Sequence, residues 1–110
     1  MANLFKNAFS ANITTGTTYA TLYTAGSGVT TVILGLALCN KSASAVNVTV
    51  QIQDAGSTPY QVLEQVSIPA RTTLEVLAGQ KYILETTDTL RILAGTASAI
   101  DATLGLMEIT

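Results

Sequence analysis

The chain has no histidine, no tryptophan and a single cysteine, and only 11% of its residues are charged. Each shortage removes a class of chemistry. Without an imidazole there is no Ser-His-Asp or Cys-His nucleophile. One cysteine and no histidine leave out the usual zinc sites. Cys39 also has no partner for an internal disulfide, so no disulfide framework holds the chain. There is no GxSxG elbow. Gly26, Ser27 and Gly28 are too short a run for a phosphate loop and read as a turn. Asp54, Asp88 and Asp101 stand apart in sequence, outside any EF-hand pattern. Two carboxylates brought together by folding remain the one catalytic arrangement open. A chain this small, without the tryptophan that so often serves as a sugar platform, argues against it. The expectation is no catalytic residue, no cofactor and no metal.

Charge excludes further partners. Soluble domains average about 25% charged residues. Here five basic residues, Lys6, Lys41, Arg71, Lys81 and Arg91, lie far apart in sequence and the net charge is −2. A nucleic-acid binder needs a clustered basic face, so none is expected to bind. Met1 to Lys6 carry no apolar run of the kind a signal peptide needs. Residues 29–39 are apolar but interrupted by Thr30, Thr31 and Gly35. They fall short of the roughly 20 residues of a membrane-spanning helix. Three glycosylation sequons, at Asn12, Asn40 and Asn47, read as chance in a Thr-, Ser- and Asn-rich chain. Assembly in a cytoplasm is expected, with neither nucleic acid nor membrane as partner.

What is abundant is apolar surface: 48% of residues are hydrophobic and the mean hydropathy is +0.44. A chain of this length forms one domain with too small a core to hide so much. The surplus is expected to face copies of the chain or a larger assembly.

Short runs rich in Thr, Val, Ile, Leu and Tyr alternate with Gly, Ser, Asn and Asp clusters, the pattern of an all-β domain. The clearest strand is Val46–Gln53. Val46, Val48, Val50 and Ile52 share one face, and Asn47, Thr49, Gln51 and Gln53 share the other, which predicts one buried and one wet face. Residues 31–39 are apolar on both faces and read as a central strand with a second contact surface. Cys39 reads there as a small buried hydrophobe. Residues 40–44 are expected to join these two strands as a hairpin-like turn, and Ala78, Gly79 and Gln80 to turn the chain later. Further strands are expected over residues 19–24, 60–68, 72–77, 81–85, 89–93 and 100–109. The prediction is a single antiparallel β-sandwich, jelly-roll-like, of about eight strands over residues 13–110.

Residues 1–12 hold both phenylalanines, Phe5 and Phe9, together with Leu4. They read either as an arm that anchors on a neighbouring subunit or as an extra strand covering the core. Leu4, Phe5, Ala8 and Phe9 also carry the chain's one trace of helical spacing. Tyr19 and Tyr23 share parity on one strand. With Tyr60 they could stack sugars, although such tyrosines more often line cores and interfaces. The charges of the second half read as solvation of sheet edges. For Arg71 and Arg91 the alternative is ion pairing between subunits. The interface candidates are therefore Leu4, Phe5, Phe9, Tyr19, Tyr23, Arg71 and Arg91.

The second half carries a recognisable succession. Val66, Ser67, Ile68, Pro69 and Ala70 precede Leu74, Glu75, Val76 and Leu77. Tyr82, Ile83, Leu84 and Glu85 then precede Asp88, Thr89, Leu90, Arg91 and Ile92, and Ile100 to Leu104 lead into Met107, Glu108 and Ile109. With Thr17 to Ala25, Thr31 to Leu36 and Cys39 to Ser42, this resembles small virion structural proteins of tailed bacteriophages, including those infecting cyanobacteria. Such proteins usually read Gly-Asp before the penultimate strand, where this chain has Thr87 and Asp88. The resemblance implies a β-sandwich accessory protein of the virion, often trimeric, that decorates the capsid by binding the major capsid protein. The alternatives are a neck, tail or fibre component, or a module for host glycans. It implies no catalytic residue.

Overall fold

The computed structural model describes residues 3–11, 13, 19–77 and 80–110. Asn12, Ala78 and Gly79, and the expectations placed on them, lie outside the described residues. Among the described residues there are nine strands: β1 (Asn3–Ser10), β2 (Ala20–Thr24), β3 (Thr30–Asn40), β4 (Val46–Gln53), β5 (Pro59–Ile68), β6 (Thr73–Glu75), β7 (Tyr82–Leu84), β8 (Thr89–Ala94) and β9 (Ile100–Ile109). They form two antiparallel sheets. The first runs β1-β9-β3-β6, with β7 also on β3; the second runs β2-β8-β4-β5. β6 and β7 share one position along the flank of β3. The nine segments thus fill eight positions in the strand order of a jelly roll.

The core between the sheets follows from period-two alternation. In β9, Ile100, Ala102, Leu104 and Leu106 are buried, and in β8 so are Leu90, Ile92 and Ala94. β3 keeps Thr31 and Ile33 inside, then Leu36 and Leu38. The change of parity is absorbed by an irregularity between Ile33 and Gly35, which leaves Leu34 exposed. One extra residue in a strand flips everything after it to the other face.

Several local expectations change in three dimensions. Residues 3–10 are a strand that pairs with β9 without a break in register, and the trace of helical spacing there is not realised. β3 and β4 are not a hairpin, because β3 lies in the first sheet and β4 in the second. The connection at residues 40–44 therefore crosses between sheets, and buried Asn40 holds it. Its Oδ1 accepts from the Ser42 amide and hydroxyl, and its Nδ2 donates to the Ser44 and Ile68 carbonyls. The expected wet face of β4 is dry at its centre, with Thr49 and Gln51 buried. Cys39 is half-buried and turned away from the core, because it neighbours the inward Leu38. Thr87 stands at φ 69°, so the turn before β8 keeps a left-handed residue although the position is β-branched.

Candidate interaction surface

The outer face of the first sheet carries apolar side chains set among polar ones such as Asn7, Thr103 and Asp101. Paired residues of antiparallel strands share a face, and one such row runs across four strands: Phe5 opposite Met107, Met107 opposite Val32, Val32 opposite Ile83. Phe5 is 71% exposed and Ile83 53%. A second row places Phe9 opposite Thr103 and Thr103 opposite Ala37. Phe9 is 70% exposed. Between the rows lie Asn7, Gly105 and Gly35. A Cβ built on either glycine meets nothing within 4 Å, so the glycines leave a bare strip of sheet between the side-chain rows. An open recess of about 480 Å³ lies along Phe5, Lys6 and Asn7. Monomeric proteins seldom expose contiguous apolar area of this kind unless it is used.

The outer face of the second sheet is polar and tied together. Arg91 donates from Nε to Gln51 Oε1 (3.0 Å) and from one terminal nitrogen to Gln53 Oε1 (3.0 Å). Gln51 in turn donates to Gln61 Oε1 (2.8 Å). The Arg91 guanidinium carbon lies 4.7 Å from the centre of the Tyr19 ring, a cation–π contact. This network covers Gln51 at the centre of β4, and the Gln65 amide donates to Thr49 Oγ1 beside it (3.1 Å).

The structure therefore sorts the candidates into separate places. Leu4, Phe5 and Phe9 sit together on β1, and all three are exposed. Tyr19 and Arg91 meet on the opposite side of the sandwich, where Arg91 covers one ring face. Tyr23 does not share a face with Tyr19. A register shift between Thr21 and Tyr23 turns Tyr23 inward, opposite the buried Leu90. Arg71 occupies an exposed turn at φ 54°. Tyr60 is 58% exposed at the start of β5. Met107, Val32 and Ile83 complete the apolar row and escaped the sequence reading. Val32 carried a signal in the two-faced apolarity of residues 31–39, whereas Met107 and Ile83 join it only through strand pairing, which is not local.

Tyr23 donates its hydroxyl hydrogen to Glu108 and lies 3.0 Å from Thr31 Oγ1. Lys6 Nζ is 3.0 Å from Glu108 Oε1. This cluster ties β1, β2, β3 and β9 together at one end of the sandwich. The Tyr23 hydroxyl, then Lys6, hold the Glu108 carboxyl below its ordinary value of 4.5. Burial, then Glu108, push the Tyr23 hydroxyl above 10.0. A depressed carboxylate contributes stability that is present above its unfolded value and lost as pH falls through the folded one. A raised tyrosine contributes stability that is present below its unfolded value and lost as pH rises through the folded one. Urea midpoints measured across pH are expected to fall below pH 4.5 and again above pH 10.0. Glu108→Gln should flatten the acid limb and Tyr23→Phe the alkaline one. Unchanged limbs in both variants would show that other groups set the pH dependence.

Among the described residues no group of His, Cys, Asp and Glu is placed to hold a metal ion. Among these residues, too, no helix is long and apolar enough to cross a membrane.

No protein-family model and no curated protein matches the chain. Solved structures do. A subunit of Bacillus endospore appendages, which form a family of disulfide-linked pili, is 16% identical with a TM-score of 0.53; the match covers 96% of this chain and 85% of that one. A chain of the T13 IBDV viral particle is 12% identical with a TM-score of 0.51. That match covers 96% of this chain but 30% of the viral one. At these identities the likeness establishes the all-β sandwich fold, shared with a pilus subunit and with part of a viral particle protein.

Proposed function

We propose that the chain is a non-enzymatic structural subunit of a particle, in its most specific form a decoration or cement protein of a phage head. The observation that carries this reading is the apolar row Phe5, Met107, Val32 and Ile83 across the outer face of the first sheet, exposed at Phe5 and Ile83 and half-buried between them. Covering such a face releases roughly 25 cal/mol per Å² of apolar area before association costs. Repetition of the contact around a particle multiplies a modest single affinity. The sandwich supplies a rigid support, and its weak negative charge disfavours sticking to packaged DNA.

The fold shared with a pilus subunit and a viral particle chain is consistent with work in an assembly. Linkage by disulfides does not carry over. One cysteine closes at most one intermolecular bridge, so these residues cannot string subunits into a covalent chain.

The test is quantitative mass spectrometry of purified particles, with this chain measured against the major shell protein. Copy numbers comparable to the shell protein are expected of a decoration protein. A few copies per particle would replace this with a neck, tail or fibre role. Absence from particles would overturn the virion reading.

A further inference from the structure

We propose that β1 is an assembly edge: two copies pair their β1 strands antiparallel about a two-fold axis through Asn7, continuing the first sheet across the pair. This rests on the reading of the chain as an assembly subunit and names the partner as a second copy.

The edges of the two sheets differ in kind. A free strand edge carries unpaired N–H and C=O groups, and natural proteins blunt it with short strands, bulges, proline or charge. β6 and β7 are three residues each. β2 is five residues long with a register shift. β5 is long, but it opens on Pro59, is irregular against β4 and carries Gln65 at φ 48°. β1 has eight residues in unbroken register, no proline and no residue at positive φ. Its one charge, Lys6, is engaged by Glu108 of its own chain. Among the described residues no other edge is as long, regular and unprotected, so the edge that matches it is β1 of a second copy.

Side chains choose the register. With Asn7 opposite Asn7, Phe5 of each copy stands opposite Phe9 of the other on the outer face, giving two cross-strand aromatic pairs. Lys6 then faces Ala8, and Leu4 faces Ser10. Moving the axis to Lys6 would place the two ammonium groups directly opposite and leave both phenylalanines against asparagines. The axis at Asn7 also joins the bare strips of the two copies, since Asn7, Gly105 and Gly35 form one row.

The area fits. Phe5 and Phe9 are 71% and 70% exposed. A phenylalanine offers about 150–250 Å², and a cross-strand neighbour covers only its facing flank, so the four rings across the pair contribute roughly 250 Å². The paired backbones, Leu4 and the stem of Lys6 bring the total to the region of 1,000 Å² that a specific interface needs.

The test uses the full chain with Cys39→Ala, so that one introduced thiol reports position. Asn7→Cys places the two thiols across the axis, where Cα atoms about 4.5–5.5 Å apart lie within disulfide reach. Ser10→Cys serves as the comparison: in this register its two copies lie about 20 Å apart. Under mild oxidation at micromolar concentration, Asn7→Cys is expected to form covalent dimer at least about ten-fold faster than Ser10→Cys, as held thiols should. The sedimentation mass of the Cys39→Ala parent is measured alongside, and Phe9→Lys is expected to lower that mass to a single chain with the β-type circular dichroism retained. A parent mass of several chains with equal cross-linking at both positions would overturn the β1 pairing and leave the assembly reading intact. A parent mass of one chain would overturn the β1 pairing and leave the particle reading to the copy-number measurement.

Discussion

Replacing Asn40 by aspartate lowers stability by about 4 kcal/mol at neutral pH. The substitution keeps the shape and the Oδ1 acceptor for Ser42, so little packing changes. What it removes is the donor. Asn40 Nδ2 serves the carbonyls of Ser44 (2.9 Å), Ile68 (3.0 Å) and Pro69 (3.2 Å) from a side chain with no exposed surface. A carboxylate there turns an acceptor toward three acceptors and buries a charge without a counter-ion. Small domains hold only about 5–15 kcal/mol in total, so the loss is a large fraction. The position also explains why the effect is global. Asn40 ends β3 in the first sheet, while Ile68 ends β5 in the second. Its amide thus joins the sheets at a point where no backbone ladder can. Urea unfolding of Asn40→Asp should show the loss at neutral pH and a smaller gap to the parent in acid, because protonation removes the buried charge and restores one donor. A midpoint shift equivalent to less than about 1 kcal/mol would show that the cluster is incidental to stability.

The second large effect separates two adjacent residues. Leu38→Ala is expected to cost about 3–4 kcal/mol, the range for a leucine deleted from a packed core. Cys39→Ala should change stability by less than about 1 kcal/mol. Leu38 is fully buried and lies between Ala102 on β9 and Leu74 on β6. Cys39 points to the outer face between Asp101 and Thr73. The contrast tests the parity of β3 after its irregularity at Leu34. If Cys39→Ala proves the costlier of the two, the strand faces the other way and the apolar outer row is misassigned.

Much of this protein was legible along the chain. Alternation in residues 46–53, the apolar run at 31–39 and the turn clusters between them specify strands, because side-chain direction in a strand depends on neighbours alone. The all-β class, a sandwich of about eight strand positions and an apolar surplus looking for a partner follow from those local facts and from composition. The N-terminal segment carried its signal in composition, with both phenylalanines and a leucine in one short stretch. Its pairing with β9 joins residues some hundred positions apart, which no local pattern encodes.

Tertiary structure decided the rest, and each case has the same cause. Asn40 looked like a turn residue until burial gave its amide three carbonyls to satisfy. Tyr19 and Tyr23 share parity on paper, but one bulge in β2 sends them to opposite faces. Gln51 and Thr49 read as wet until Arg91 and the neighbouring strands covered them. The sequence determined which residues form strands and how much apolar surface they carry, since both are properties of short segments. Which strand lies beside which, where a bulge reverses a face, and which edge is left free belong only to the folded sheets, because pairing partners and the covering of a face come from distant parts of the chain.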